Sequence, residues 1–262
     1  MLGALAAKLG VWDKVGVRLM SSWPAAIAMI LCFGVLPAHA QDTITLSRRD
    51  DPLSPYAAQI AQEAFRRIGH KTDFLLLPSE RALQSADAGK TSGDVARMAG
   101  IEKIYPNLIR VPEPMLDYDT VAFTTGLAFK VDGWESLRPY RLCILRGMKL
   151  AEIGTEGMDS TISNDVPQSI MMLKGGRCDV AVLGYTAWPE IDRMNAGPLR
   201  SLDPPVSSVP LFLVVHKKLE NLVPGLAQAL RQMHGDGTIQ AILADLERKI
   251  QAARQSSGIP AK

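Results

Sequence analysis

The chain has 262 residues, 47% of them hydrophobic, and a formal net charge of +2. That length fits one large domain or two small ones. A charge this close to balance supplies no basic surplus to drive binding to nucleic acid or anionic lipid, so neither is expected as a partner.

Residues 1–40 read as a signal peptide. Lys8, Lys14 and Arg18 form a positive leader, residues 25–36 form an apolar run, and Ala38-His39-Ala40 before Gln41 fits a small-x-small cleavage site. Cleavage after Ala40 would leave a soluble protein in the periplasm. A retained membrane anchor is the alternative, although the apolar run is short for a bilayer. Met20 is an alternative start, and Cys32 reads as part of the apolar run. Removing this segment takes away three basic residues and Asp13, which brings the formal charge near zero. Cys143 and Cys178 then remain. In an oxidising compartment they are a candidate disulfide pair, with two buried thiols as the alternative.

Residues 43–47 alternate apolar and polar and predict a strand. Ser54-Pro55 opens a helix, with Ser54 as cap, Tyr56, Ile60, Ala64 and Ile68 on one face, and Gly69 as its stop. Residues 74–77 predict a strand closed by Pro78, and Ser79 caps a helix over 80–88. A strand follows over 93–98. This β-α-β-α-β order predicts a parallel, two-sided sheet. Residues 101–114, punctuated by Pro106, Pro112 and Pro114, read as loop. Residues 119–129 read as extended. A second unit carries strands over 140–145 and 179–183, with helices near 149–153, over 166–174 and over 185–194. Residues 211–215 predict a buried strand. Residues 223–252 are helical with a break at Gly235-Asp236-Gly237, and 253–262 form a flexible tail.

One pattern occurs twice. Leu83-Gln84-Ser85-Ala86-Asp87-Ala88-Gly89, then Gly93-Asp94-Val95-Ala96, returns as Ile170-Met171-Met172-Leu173-Lys174-Gly175-Gly176-Arg177-Cys178-Asp179-Val180-Ala181. Helix, glycine stop, strand is an αβ unit. Two such units suggest two similar α/β lobes with a ligand between them, although αβ units also recur by chance.

With Arg81-Ala82-Leu83, Gly93-Asp94 and Arg97, then Tyr105-Pro106-Asn107-Leu108-Ile109-Arg110-Val111-Pro112-Glu113-Pro114, Leu145-Arg146-Gly147 and Val214-Val215-His216-Lys217-Lys218, the chain resembles the bacterial extracellular solute-binding proteins of the polar-amino-acid type. These have the periplasmic-binding-protein type II fold. The resemblance covers about residues 43–250 and rests on the order of weak motifs. It implies two α/β lobes, each a mostly parallel sheet flanked by helices, with a ligand cleft between them. Lobe 1 would comprise 41–126 plus 210–252 and lobe 2 would comprise 127–209, with crossovers near 124–129 and 206–211 acting as a hinge. It further implies a small polar solute, without a cofactor or metal, and an ABC-type permease or a membrane sensor as partner to a monomer. The family's Thr-rich turn before its carboxylate-binding arginine is absent here, since Asp94-Val95-Ala96 runs directly into Arg97. That argues against an α-amino acid and for an anionic solute.

Arg97 is the first candidate ligand residue. It ends a parallel strand, where open α/β sheets bind ligands, and its guanidinium suits a carboxylate. A structural ion pair with Asp94 or Glu102 is the alternative. Arg81 opposes the dipole of the second helix, which hints at function, with simple exposure as the alternative. Arg146 and Gly147 form the matching turn of the second lobe, where Gly147 would let backbone amides approach an anion. Asp165 is a ligand candidate that equally suits a helix N-cap. Tyr185 and Trp188 would overhang the cleft as aromatic walls, and Tyr56 opens the first helix close to where ligands sit, with core packing as the alternative for Trp188 and Tyr56. His70, His216 and His234 have no metal-ligand spacing. No nucleophile turn or phosphate loop is present. A dehydratase-like enzyme on the same fold would need only a carboxylate, and Asp50, Asp51, Glu80 or Asp165 could supply it.

Overall fold

A computed structural model of the chain describes residues 43–256. The expected signal peptide, its cleavage site after Ala40, the alternative start at Met20 and residues 257–262 of the expected tail lie outside them. The first β-α-β-α-β run forms as the apolar periodicity predicts: β1 (Ile44–Arg48), α1 (Ser54–Arg67), β2 (Thr72–Leu76), α2 (Ser79–Asp87) and β3 (Gly93–Met98). β1 pairs in parallel with both β2 and β3. α1 buries Ala57, Ile60, Ala61, Ala64 and Phe65, and the chain leaves it through Gly69 at φ 84°. Ser54 does not cap α1. The cap position is Leu53, and the Asp51 carboxylate accepts hydrogen bonds from the Leu53 and Ser54 amides at 3.0 and 2.7 Å. A negative group at that end also suits the helix dipole. Ser79 is likewise the first residue of α2 and not its cap.

The proline-punctuated stretch departs most from expectation. Apart from a short turn at Ile101–Lys103, it holds the first part of one 17-residue strand, β4 (Leu108–Thr124). β4 runs antiparallel to β9 (Ser207–His216), and their register shifts on both sides of Pro114. Irregular pairing is where a strand accepts proline, so Pro112 and Pro114 bend the strand without ending it.

The second half contains β5 (Leu142–Leu145), α3 (Lys149–Gly154), β6 (Ser160–Ser163), α4 (Val166–Lys174), β7 (Val180–Gly184), α5 (Trp188–Arg193) and β8 (Arg200–Ser201). β5 pairs in parallel with β6 and β7. β6 has no signal in the sequence, because Ser160-Thr161-Ile162-Ser163 is a polar edge strand with only Ser163 buried. Both copies of the repeated pattern form a helix, a positive-φ glycine (Gly89 or Gly176) and a strand. Their aspartates differ in role. Asp94 is buried inside β3, whereas Asp179 precedes β7 and pairs with Arg141 at 2.7 Å on the surface.

The sheet order is β2-β1-β3-β9-β4-β7-β5-β6, with β8 on β4. At about 3.3 Å per residue β4 spans roughly 55 Å. It pairs with β9 from Leu108 to Thr120 and with β7 from Thr120 to Phe123, which makes the two half-sheets continuous. Cys143 of β5 and Cys178, just before β7, are disulfide-bonded with a Cα–Cα distance of 5.7 Å. After β9 come α6 (Val223–Gly235) and α7 (Thr238–Ser256), which packs against α1 and α5. Residues 253–256 are therefore not a loose tail. Ala253 is buried, Arg254 donates to the Tyr185 hydroxyl at 2.7 Å, and Ser256 hydrogen-bonds Asp192.

Candidate functional site

The local structure at the end of β3 sets the site. Asp94 and Arg97 are three residues apart, so in a regular strand they would point to opposite faces. Between them the pairing with β9 shifts register, and Ala96 takes the left-handed φ of 56°. Such an irregularity re-aims the side chain that follows it, and here it returns Arg97 to the face of Asp94. A non-glycine residue in that region stores about 1–3 kcal/mol of strain. Arg97 Nε donates to Asp94 Oδ2 at 2.8 Å, and Nη2 reaches the same oxygen. Nη1 donates to Ser79 Oγ at 3.1 Å and Nη2 to the Ser79 carbonyl at 3.3 Å. The two side chains are 5% and 0% exposed. Burial pushes the Asp94 carboxyl up and the Arg97 guanidinium down, each partly offset by the other's charge.

Beside this pair lies a cavity of about 340 Å³, within the size range of small-ligand pockets. It sits at the carboxyl ends of the parallel strands, as the rule for open α/β sheets requires. Arg49 to Asp51 follow β1, Arg97 and Met98 end β3, Arg146 and Gly147 follow β5, Asn164 follows β6, Gly184 ends β7, and Thr186 and Ala187 follow it. Tyr118, Val209 and Leu211 of the β4–β9 ribbon also line it. The two halves approach closely at one point, where a Cβ added to Gly147 would lie 3.9 Å from the Ser79 Cβ.

Most charges in the cavity are already answered. Arg49 Nε lies 2.8 Å from Asp51 Oδ2, and Lys149 Nζ lies 3.0 Å from Glu152 Oε2. Arg146 Nε donates to the neutral Asn164 Oδ1 at 3.2 Å. The Gly147 amide, expected to be open to an anion, instead donates to Glu152 Oε1 at 2.7 Å. Tyr118 stays a neutral donor, because burial, with the nearby Asp51 charge, pushes its phenol up to about 12. Gly184 makes room for that ring, since a Cβ there would come within 2.0 Å of the Tyr118 hydroxyl.

The structure brings two of the six candidate ligand residues, Arg97 and Arg146, to the cavity wall. Arg81 is exposed on α2 and does not line it. Asp165 caps α4, accepting from the Gln168 amide at 2.7 Å, and is not part of the wall. Tyr56 and Tyr185 turn away toward α7. The Tyr56 hydroxyl donates to Asp245 at 2.8 Å, and that of Tyr185 accepts from Arg254. Trp188 is core, 1% exposed with its ring centroid 5.0 Å from that of Phe123. The sequence reading missed Arg49, Tyr118, Met148 and Asn164 as wall residues. Arg49 was legible, because it follows β1 as Arg97 ends β3. Tyr118 was hidden because residues 115–118 fall between the stretch read as loop and the stretch read as extended. Among the described residues, no group of three or more His, Cys, Asp or Glu could hold a metal, and no helix is long and apolar enough to cross a membrane.

No known family model matches the chain. An uncharacterized protein of Shewanella oneidensis is 27% identical over 216 residues, 76% of this chain and 80% of its own length. Among solved structures, a histidine kinase sensor domain with similarity to periplasmic binding proteins superposes with a TM-score of 0.64 at 18% identity, covering 79% of this chain and 96% of that one. An ancestral arginine-binding protein bound to arginine gives 0.63 at 16%, covering 79% and 99%. An ancestral amino-acid-binding protein described as a precursor of cyclohexadienyl dehydratase gives 0.62 at 15%, covering 78% and 95%. The chain thus has the two-lobed periplasmic-binding-protein type II fold.

Proposed function

We propose that this protein binds a small polar solute, amino-acid-like or a carboxylate, in the periplasm and passes it to an ABC-type permease or presents it to a membrane sensor. The observation that carries this reading is the cavity itself. It is small-molecule sized, lies at the strand ends, and takes its wall from both halves of the sheet. A solute touching both walls favours the closed form by the contacts it gains there, and a transporter or sensor can read that form. The lobes would be 41–126 with 210–252 and 127–209, and the protein would act as a monomer. Relatives of this fold that bind arginine or serve as a kinase sensor domain support the reading at the level of fold.

A second reading is a lyase on the same scaffold, acting on a small carboxylate. It is favoured by Asp50, a wall carboxylate with no ion-pair partner among the described residues, and by the neighbour described as a dehydratase precursor. Turnover separates the two. The test is a thermal-shift screen of residues 41–262 against amino acids, dicarboxylates, aromatic acids and phosphates, with NMR of each hit for chemical change. A specific solute at a hundredfold excess over Kd should stabilise by about 2.7 kcal/mol and be recovered unaltered. A hit that is converted establishes the lyase. A panel with no shift and no copurified solute overturns the binding reading.

A further inference from the structure

The inference rests on the solute-binding reading and concerns which wall residues meet which end of the solute. Six charged side chains line the cavity: Arg49, Asp50, Asp51, Arg97, Arg146 and Lys149. Four of them have an ionic partner within the protein. Arg49 pairs with Asp51, Arg97 with the buried Asp94, and Lys149 with Glu152. Arg97 is further committed, because Ser79 Oγ takes its Nη1 and the Ser79 carbonyl also accepts from Nη2. Opening such a buried pair to reach a ligand would strand the Asp94 charge away from water.

Two charges remain, and they come from opposite halves. Asp50, after β1, has no hydrogen bond or ion pair among the described residues. Burial pushes the Glu190 carboxyl up, Arg193 opposes this, and the like charges of Asp165 and then Asp50 add to it. Arg146, after β5, is held only by the neutral amide of Asn164, and Glu152 near it is already engaged by Gly147 and Lys149. Met98, Ile101, Met148 and Leu211 add apolar surface to the same wall.

We infer that the cleft takes a dipolar solute, with Arg146 of the second half holding its anionic group and Asp50 of the first half holding its cationic group. Arg97 stays inside the scaffold of the first half. This reverses the expectation that Arg97 is the anion-binding residue.

The test is calorimetric titration of residues 41–262 with ω-amino acids from β-alanine to 6-aminohexanoate, and with succinate and putrescine as single-sign controls. At least one ω-amino acid should bind. Arg146→Gln and Asp50→Asn should each weaken it about 10- to 100-fold, the loss of one charge-assisted contact. Both residues are exposed, so the melting temperature of the free protein should not move. Asp50→Asn should tighten succinate, and Arg146→Gln should tighten putrescine. If an ω-amino acid binds but stays within twofold in both variants, or succinate binds the wild type more tightly than every ω-amino acid, the assignment is overturned while solute binding stands. Binding of none of these probes overturns the assignment, and the wider thermal-shift panel then decides the binding reading separately.

Discussion

Arg97→Ala should unsettle the fold more than any ligand contact. The substitution removes a guanidinium that is 5% exposed and leaves the fully buried Asp94 carboxylate with only the Val95 amide, at 2.8 Å, as a hydrogen-bond partner. It also frees both Ser79 oxygens. Breaking a buried pair from one side costs about 3–5 kcal/mol. For a protein of this size each kcal/mol lowers Tm by about 2–4 °C, so a fall of about 6–20 °C is expected from those two figures together. Removing both charges is a different perturbation. Arg97→Met with Asp94→Leu leaves neither charge of the pair uncompensated, and replacements of this kind are often neutral or stabilising. The assay is urea denaturation of wild type, both single variants and the double, read as a mutant cycle. A single Arg97→Ala variant within about 1 kcal/mol of wild type, or a double variant no more stable than the single, would show that the pair is not structural. Arg97 would then return as the leading anion-binding residue.

Three further outcomes follow from the geometry. Gly184→Ala places a Cβ 2.0 Å from the Tyr118 hydroxyl; it should cost about 1–3 kcal/mol as overpacking, and combining it with Tyr118→Phe, which removes the clashing oxygen, should recover part of that loss in a thermal melt. Replacing Cys143 and Cys178 together with Ser opens a bridge across 35 residues of sequence, which the chain-entropy relation puts at about 4 kcal/mol; equal denaturation midpoints for the oxidised wild type and the variant would contradict this. Stability should also fall in acid. Arg66 and Arg67 hold the Glu63 carboxyl down to about 2, and Thr238 and Arg67 hold Asp236 at about 2. These folded-state values lie below the ordinary values of 4.5 and 3.8, so the stabilisation is present above those and is lost as pH falls through about 2. Arg67→Ala should flatten the decline in denaturation midpoint between pH 5 and 2.5, and an unchanged slope would refute the assignment.

The fold was legible where one physical signal dominated. The apolar stripe of α1, the glycine stops at Gly69, Gly89 and Gly176, and the apolar runs of β3 and β9 each fixed an element. β4 was hidden because proline signals an end to pairing, and only the tertiary context supplies the register shifts that accommodate it. β6 was hidden because an edge strand needs no apolar run. The cleft was harder. Strand-end logic finds Arg97, Arg146 and, applied evenly, Arg49. It cannot tell a guanidinium facing solvent from one locked by a partner three residues back, since that depends on the register shift at Ala96. Tyr56 and Tyr185 were assigned to the cleft because the sequence does not say that α7 reaches across to take both hydroxyls.

The central claim is that a small solute sits between the two halves of this sheet. A crystal structure of residues 41–262 with the solute that gives the largest thermal shift tests it most directly. The account predicts density for that solute in the cavity beside Tyr118 and Leu211, touching residues that follow both β1 and β5, with the Arg97–Asp94 pair intact. Solute bound elsewhere on the surface, or touching one half alone, would contradict it.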